Sequence, residues 1–440
     1  MRRSLLTLGP IVGLVLAFAT PASAGTVFVI DGRGWGHGVG MSQYGARGYA
    51  EAGWAHGRIL AHYYRGTKLR VVPARPVRVL LAEGKPVVAI STTKPFRVID
   101  AKGKVRKLKP GRRTLVASRT LLKGLQSPLR FEPGVAPLQL DGEGYRGALV
   151  VERHGSSLVV VNHVPLDRYL RGVVPWEMPE EWHPEALRAQ AVVARSYALA
   201  TLKPGKLFDL HADTRSQVYG GIRAEEDSTN RAIGATAGRV LLWQDRVATT
   251  FYHSTSGGRT ASVADVWPKA RVVPYLVSVP DPYDNISKHH RWGPFRMTPA
   301  EVGKLIGTPD VRDLLVERAA SGRVTEVAVK VGAGLRRIEG QDFRRDFGLR
   351  STWFTVRVLN LDPPVRSALA SRQLRLTGFV RGLTKVRLEQ QVGGGTWKTV
   401  KRIRTRPDGR FTVPIEPLRT TSYRLASPLV SGGAVTVRPG

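Results

Sequence analysis

One acid in this chain stands apart by its setting. Glu177 lies in Pro175-Trp176-Glu177-Met178-Pro179. The two prolines fix φ and bias the residue before each toward extended backbone, so the carboxylate is held on a stiff turn. One carboxylate held in this way can do single-acid chemistry or bind a ligand. Two loops carry further polar groups. Gly32 to Gly40, with His37 in it, runs into Ser42, Gln43 and Tyr44 at a helix entrance, where backbone N–H groups are offered to an anion or a sugar oxygen. No Lys-Ser/Thr follows in the phosphate-loop position, which favours sugar contact over a nucleotide. His253-Ser254-Thr255-Ser256 is dense in donors and fits either a carbohydrate contact or a tight turn. A serine hydrolase is disfavoured because Ser254 and Ser256 lack the Gly-x-Ser-x-Gly elbow. His289-His290 lacks metal-ligand spacing and the chain has no cysteine, so no metal or other cofactor is expected.

The element that must position Glu177 follows it directly. His183-Pro184-Glu185 is a helix start, and Leu187, Ala191, Ala194 and Ala198 recur at one-face spacing toward Ala200. Small residues on that face let another backbone approach closely. Taken alone, Arg188, Gln190 and Arg195 fit incidental polar positions of a buried Ala-rich helix. Further helices are expected at Ser42, at 57–64, at 228–237 and at 298–306, the last with Thr298 and Glu301 at capping-box spacing. Between 77 and 164, short β-branched runs alternate with Gly, Pro and Lys turns, the pattern of an antiparallel β-rich section. Val240–Trp243 and Ala248–Tyr252 read as a hairpin. From about 371 onward, short strands at regular spacing read as a small β-sandwich.

Arg2-Arg3, an apolar run and Ala22-Ser23-Ala24 form an export signal, with cleavage expected near Gly25. That run is short for a membrane span, and no later segment is long enough, so no transmembrane span is expected after cleavage. The chain carries 68 basic and 34 acidic residues, a formal +34. Such a field recruits polyanions; outside a cell these are anionic wall polymers and lipid headgroups, and no nucleic-acid-binding motif accompanies the charge.

Several separated motifs, taken together, resemble the SpoIID/LytB family, stage II sporulation protein D and the amidase enhancers of bacterial walls. They are Tyr169-Leu170-x-Gly172-Val173-Val174-Pro175-x-Glu177-Met178-Pro179, Glu185-Ala186-Leu187-x-Ala189-Gln190-Ala191-Val192-x-Ala194-Arg195-x-Tyr197-Ala198, Ser254 to Thr260, and Arg350 to Phe354. Gly34 to Ala46 matches a further family motif that usually follows the segment corresponding to 351–354, as if the domain were permuted. A permuted order requires 31–66 to fold back beside Phe354.

The resemblance implies a peptidoglycan glycan strand as ligand, with Glu177 as catalytic acid of a lytic transglycosylase. It also implies a sugar-contact set of Trp176, Arg188, Gln190, Arg195, Tyr197, His37, Ser42, Gln43, Tyr44, His253, Ser254, Thr255 and Ser256. The alternative it carries is a non-catalytic amidase enhancer that uses the same surface with a wall amidase as partner. The expected organisation is α+β. A signal spans 1–24, the motif segment 25–70 packs with a SpoIID-like domain at 71–358, and a linker at 359–370 leads to an Ig-like β-sandwich at 371–440. Secretion to the cell wall is the expected location.

Overall fold

The computed structural model describes residues 25–73, 75–332, 334–363 and 374–438. The expected signal and positions 364–370 of the expected linker lie outside the described residues. The protein is α+β, with mostly antiparallel sheets; the helices Gln43–Glu51, His56–Tyr63, Leu166–Arg171, Val174–Glu177 and Asp227–Ala235 pack about Pro184–Ala200.

Strand Val27–Arg33 runs between Arg291–Met297 and Phe354–Leu361, and the sheet continues through Leu374–Arg381 to Arg410–Ile415. Its sequence explains the central position. Val27 and Val29 enter one core, Phe28 and Ile30 another, so the strand is apolar on both faces. Gly32 sits opposite Phe354, and the Arg33 N–H donates to the Trp353 carbonyl at 2.8 Å. The N-terminal strand therefore lies beside Trp353 and Phe354.

The boundary drawn from sequence at 359 falls inside a strand. Leu359 and Leu361 are buried with Val27 and Val29 and with Leu376, Phe411 and Leu425, so apolar burial carries the strand on to Leu361. Two of the C-terminal strands extend the five-stranded sheet. Arg387–Val392, Lys398–Arg402, Thr421–Ala426 and Val435–Val437 form a four-stranded sheet packed on the same core. The C-terminal layer thus shares a sheet with the rest of the chain.

The alternating runs between 76 and 165 form two sheets over one core that includes Val88, Phe96, Val98, Leu115, Leu129 and Phe131. One sheet ends at the edge strand Val105–Leu108 and the other at the edge strand Gly111–Val116.

Pro184–Ala200 begins as its sequence requires. Pro184 occupies the first turn, and the His183 ring accepts the Glu185 N–H at 3.2 Å. From Ala186 to Ala198 every residue except Arg188 and Tyr197 is buried. Ala186, Leu187 and Val193 pack with the helices Gln43–Glu51 and His56–Tyr63, whereas Ala191, Ala194 and Ala198 pack with Tyr169, Leu170 and Val174. One face of the helix thus meets the N-terminal helices and another meets the segment that leads to Glu177. Among the described residues no helix is long and apolar enough to cross a membrane.

Candidate functional site

Glu177 closes a one-turn helix, Val174–Glu177, with Pro175 in its first turn. Met178 then turns extended (φ −134°, ψ 132°), as the following proline demands. Val174 and Met178 are fully buried and anchor the turn, while Trp176 remains 55% exposed. Its indole lies against Gly220, where any Cβ would come within 2.1 Å of Nε1.

Two donors hold the acid. The Tyr252 hydroxyl donates to Oε1 at 2.9 Å, and Gln43 Nε2 donates to Oε2 at 3.2 Å. Behind them Gln217 Nε2 donates to the Tyr252 oxygen at 3.1 Å, and the Tyr169 hydroxyl donates to Gln217 Oε1 at 3.3 Å. A short parallel pairing of Met41–Ser42 with Tyr252–His253 brings residues 43 and 252 to the same carboxylate. Burial pushes the Glu177 carboxyl above its ordinary range, and the two hydrogen bonds, which favour the anion, temper that rise. Burial and the neighbouring Glu177 charge drive the Tyr252 phenol far up, so it stays a donor.

Among the described residues no other carboxylate contributes to the shift of Glu177. Glu185, the nearest in sequence on the helix, is already engaged. Burial works against its charge, but bonds from the His56 N–H and ring and from Arg188 prevail and hold it down at about 2.

The structure brings some of the expected contact residues together and turns others inward. Trp176 and Gln43 are at the acid, and Tyr197 lies with its ring 6.5 Å from that of Tyr252. Tyr44 packs edge-on to Trp182 at 4.8 Å, and its N–H donates to the Ser254 carbonyl at 3.0 Å. Arg188 is tied to Glu185 at the partly exposed side of the helix. Arg195 is 1% exposed and is taken up by Asp167 at 2.8 Å and by the carbonyls of Arg239 and Ile233, which makes it a staple between elements. Gln190 is also buried, with neither amide atom bonded among the described residues. Ser42 caps its helix by accepting the Gly45 N–H at 3.1 Å. Thr255 and Ser256 are fully buried and bond Ser287 and Asp284, respectively, at 2.8 Å each. These internal partners remove Arg195, Ser42, Thr255 and Ser256 from a surface a polymer could touch. His37 accepts the Val39 N–H, and His253 donates to the Val39 carbonyl. Burial drives both rings neutral, His37 down to about 3, so the pair clamps the glycine loop without titrating near neutrality.

Sequence reasoning missed Tyr252. The hairpin expected through Ala248–Tyr252 is shorter: Arg239–Trp243 pairs with Arg246–Val247 across Gln244 and Asp245, both at positive φ. The chain then departs toward Met41, a long-range pairing that local pattern does not encode. It also missed a buried acid pair behind the helix Gln43–Glu51. Asp281 and Asp284 are both fully buried. The Tyr63 hydroxyl donates to Asp281 Oδ1 at 2.8 Å, and Asp284 is held by Ser256, the Gly257 N–H and the His290 ring. Burial, then the Asp284 charge, pushes Asp281 up to about 7, against the bond from Tyr63. A Cβ on Gly45 would come within 2.4 Å of the Asp281 carboxylate, which explains the glycine in Gln43-Tyr44-Gly45-Ala46.

Fold and site together define an α+β protein that holds one partly buried acid, raised in pKa, on a rigid turn. Residues 154–243, which include Glu177 and the helix behind it, match the family model described as stage II sporulation protein, SpoIID. The chain is similar to an amidase enhancer of Bacillus subtilis (strain 168), 40% identical over 115 residues, covering 26% of this chain and 15% of that one. It is also similar to stage II sporulation protein D of Bacillus amyloliquefaciens, 29% identical over 280 residues, covering 59% of this chain and 74% of that one. An uncharacterized protein of Brachyspira hyodysenteriae is 36% identical over 143 residues, 32% of this chain and 38% of its own. These likenesses to stage II sporulation protein D and to an amidase enhancer each cover part of the chain. The matched segments span only 38% and 15% of the first two relatives' lengths. No solved structure matches the chain.

Proposed function

We propose that this protein is exported to the cell wall, where it binds peptidoglycan glycan strands and cuts them by lytic-transglycosylase chemistry with Glu177 as the acid. The observation that carries the reading is the Glu177 carboxyl itself, raised by burial, gripped by Tyr252 and Gln43, and without a carboxylate partner. A hydrolase that activates water needs a second acid at defined separation. A lytic transglycosylase does not. Glu177 protonates the glycosidic oxygen, the C6 hydroxyl of the same muramyl sugar attacks C1, and the hydroxyl proton returns to the carboxylate as the anhydro end forms. Exposed Trp176 offers a flat face for a sugar ring beside the acid. Replacing it with alanine should raise KM for glycan strands roughly tenfold with a smaller change in kcat, read from initial rates.

The second reading is binding without cleavage, as an enhancer of a wall amidase. The 40% identity to a protein named amidase enhancer favours it. In either reading the C-terminal layer is an Ig-like spacer, and the positive field holds the protein near anionic wall polymers. Purified protein incubated with intact and peptide-stripped strands, with products read by mass spectrometry, separates the two: anhydromuramyl ends support cleavage, and their absence leaves the enhancer.

Tyr252→Phe gives a second check through pH. The alkaline limb of the rate profile reports loss of the Glu177 proton. Removing a donor to the anion raises the Glu177 pKa, so this limb should move up by roughly one pH unit, with a roughly tenfold lower maximum from looser positioning. An unmoved limb would show that Tyr252 does not act on the acid.

A further inference from the structure

From Lys102 to Lys123 the chain carries nine Lys and Arg residues and no Asp or Glu. The structure gathers this run at one end of the β-rich section. Val105–Leu108 is the outer strand of the seven-stranded sheet, and Gly111–Val116 is the outer strand of the four-stranded sheet packed on the same core, joined to the first by Lys109-Pro110. Two unpaired edges therefore lie together, and both are basic. Lys102, Lys104, Lys107, Lys109 and Arg112 are exposed. Arg106 and Arg113 lie down on carbonyl oxygens, Arg106 on that of Lys123 and Arg113 on those of Arg112 and Lys109. Those bonds fix the guanidinium groups in place and leave their charge intact.

Among the described residues no ion pair reaches any cation of 102–123, whereas Arg97 and Arg130, which flank the patch, both pair with Glu132. Edge strands often carry a lysine to discourage pairing with another sheet. One or two would suffice, and nine without a single carboxylate repel one another at a cost that edge protection does not explain. Side chains on one face of a strand stand about 6.7 Å apart, close to the spacing of successive phosphates on an extended phosphodiester chain.

We propose that this double edge is a docking surface for a linear phosphodiester polymer, a site separate from Glu177 that anchors the protein on polyanion. Nucleobases are disfavoured as part of the ligand because no aromatic residue stands between Phe96 and Phe131 to stack on them. A membrane is disfavoured because Val105 is the one large apolar side chain prominently exposed among described residues 102–123. The proposal deepens the polyanion part of the reading above and does not depend on the chemistry of Glu177.

The test measures binding of the full chain to poly(glycerol phosphate) across a salt series. Phosphatidylglycerol vesicles and single-stranded DNA serve as competing ligands. Lys104, Lys107, Lys109 and Arg112 are changed together to glutamine. A control removes the same charge elsewhere by changing Lys398, Lys401, Arg402 and Arg404 to glutamine on the exposed C-terminal strand and the segment after it. Thermal unfolding confirms that both variants fold. The first set should weaken polymer binding by at least about tenfold at moderate salt and flatten its salt dependence, with the control within about twofold of wild type. Glu177→Gln should bind the polymer as wild type does, so a failure of the catalytic reading leaves this result untouched. Equal loss from both quadruple variants would show that net charge alone is at work and would overturn the site. So would undetectable polymer binding, or tighter binding to the vesicles or the DNA.

Discussion

Glutamine at position 177 is expected to stop the release of anhydromuramyl ends, by about a thousandfold, while glycan binding and the fold persist. The magnitude follows from what a positioned general acid contributes, roughly two to four orders of magnitude. The fold should persist because the substitution keeps shape and most of the hydrogen bonding. The new carbonyl oxygen can accept from Tyr252, and Gln43 can turn its amide to present oxygen to the new NH2 group. The variant also removes a carboxyl that burial disfavours in its charged form, so its melting temperature should equal or exceed that of wild type. Product analysis by mass spectrometry reads the first effect and calorimetry the second. Identical product profiles from the two proteins would leave binding as the role of the site.

The other large effect is on stability. Asp281 is fully buried, and burial followed by the Asp284 charge pushes its carboxyl up to about 7, well above the ordinary aspartate range. A raised acid contributes stability that is complete below its unfolded pKa and is lost as pH climbs through the folded one. Wild type should therefore lose on the order of 4 kcal/mol from this group between about pH 4 and 7. Asp281→Asn cannot ionise, and its amide still accepts from Tyr63 and can donate toward Ser42 or Ser256. Denaturant titrations of both proteins across that range should give a stability difference that moves in favour of the variant as pH rises. A difference that stays flat with pH would mean that Asp281 keeps its charge at no cost.

What could be read from the sequence, and what could not, divides by distance along the chain. The helix Pro184–Ala200, the capping box at Thr298 and Glu301 and the Ser42 cap were all legible, because each is set by residues within a few positions. Glu177 was legible for the same reason, since its prolines are its neighbours. Its partnerships were not: Gln43 was expected to contact sugar and Tyr252 to end a hairpin strand, because what brings both to the acid is a parallel pairing between segments more than two hundred residues apart. The hydroxyls of Thr255 and Ser256 read equally well as sugar contacts or as a tight turn. The structure turns them inward toward Ser287 and Asp284, residues whose own burial no local pattern announces. The boundary at 359 failed similarly, since Leu359 and Leu361 owe their burial to strands on both sides of it.

The shared sheet also sets an order of events. Val27–Arg33 is made more than three hundred residues ahead of one of its two neighbours, Phe354–Leu361, and Thr26 bonds Asn360 across 334 residues. Such a pairing has to wait for almost the whole chain, and contacts of that sequence separation form slowly. Gln43 and Tyr252 reach Glu177 through their own pairing of Met41–Ser42 with Tyr252–His253, while the glycine loop before Met41 hangs from the strand that waits for Phe354–Leu361. A chain interrupted before residue 354 would keep both donors to Glu177 but leave the strand that anchors the loop in front of Gln43 without one of its two neighbours.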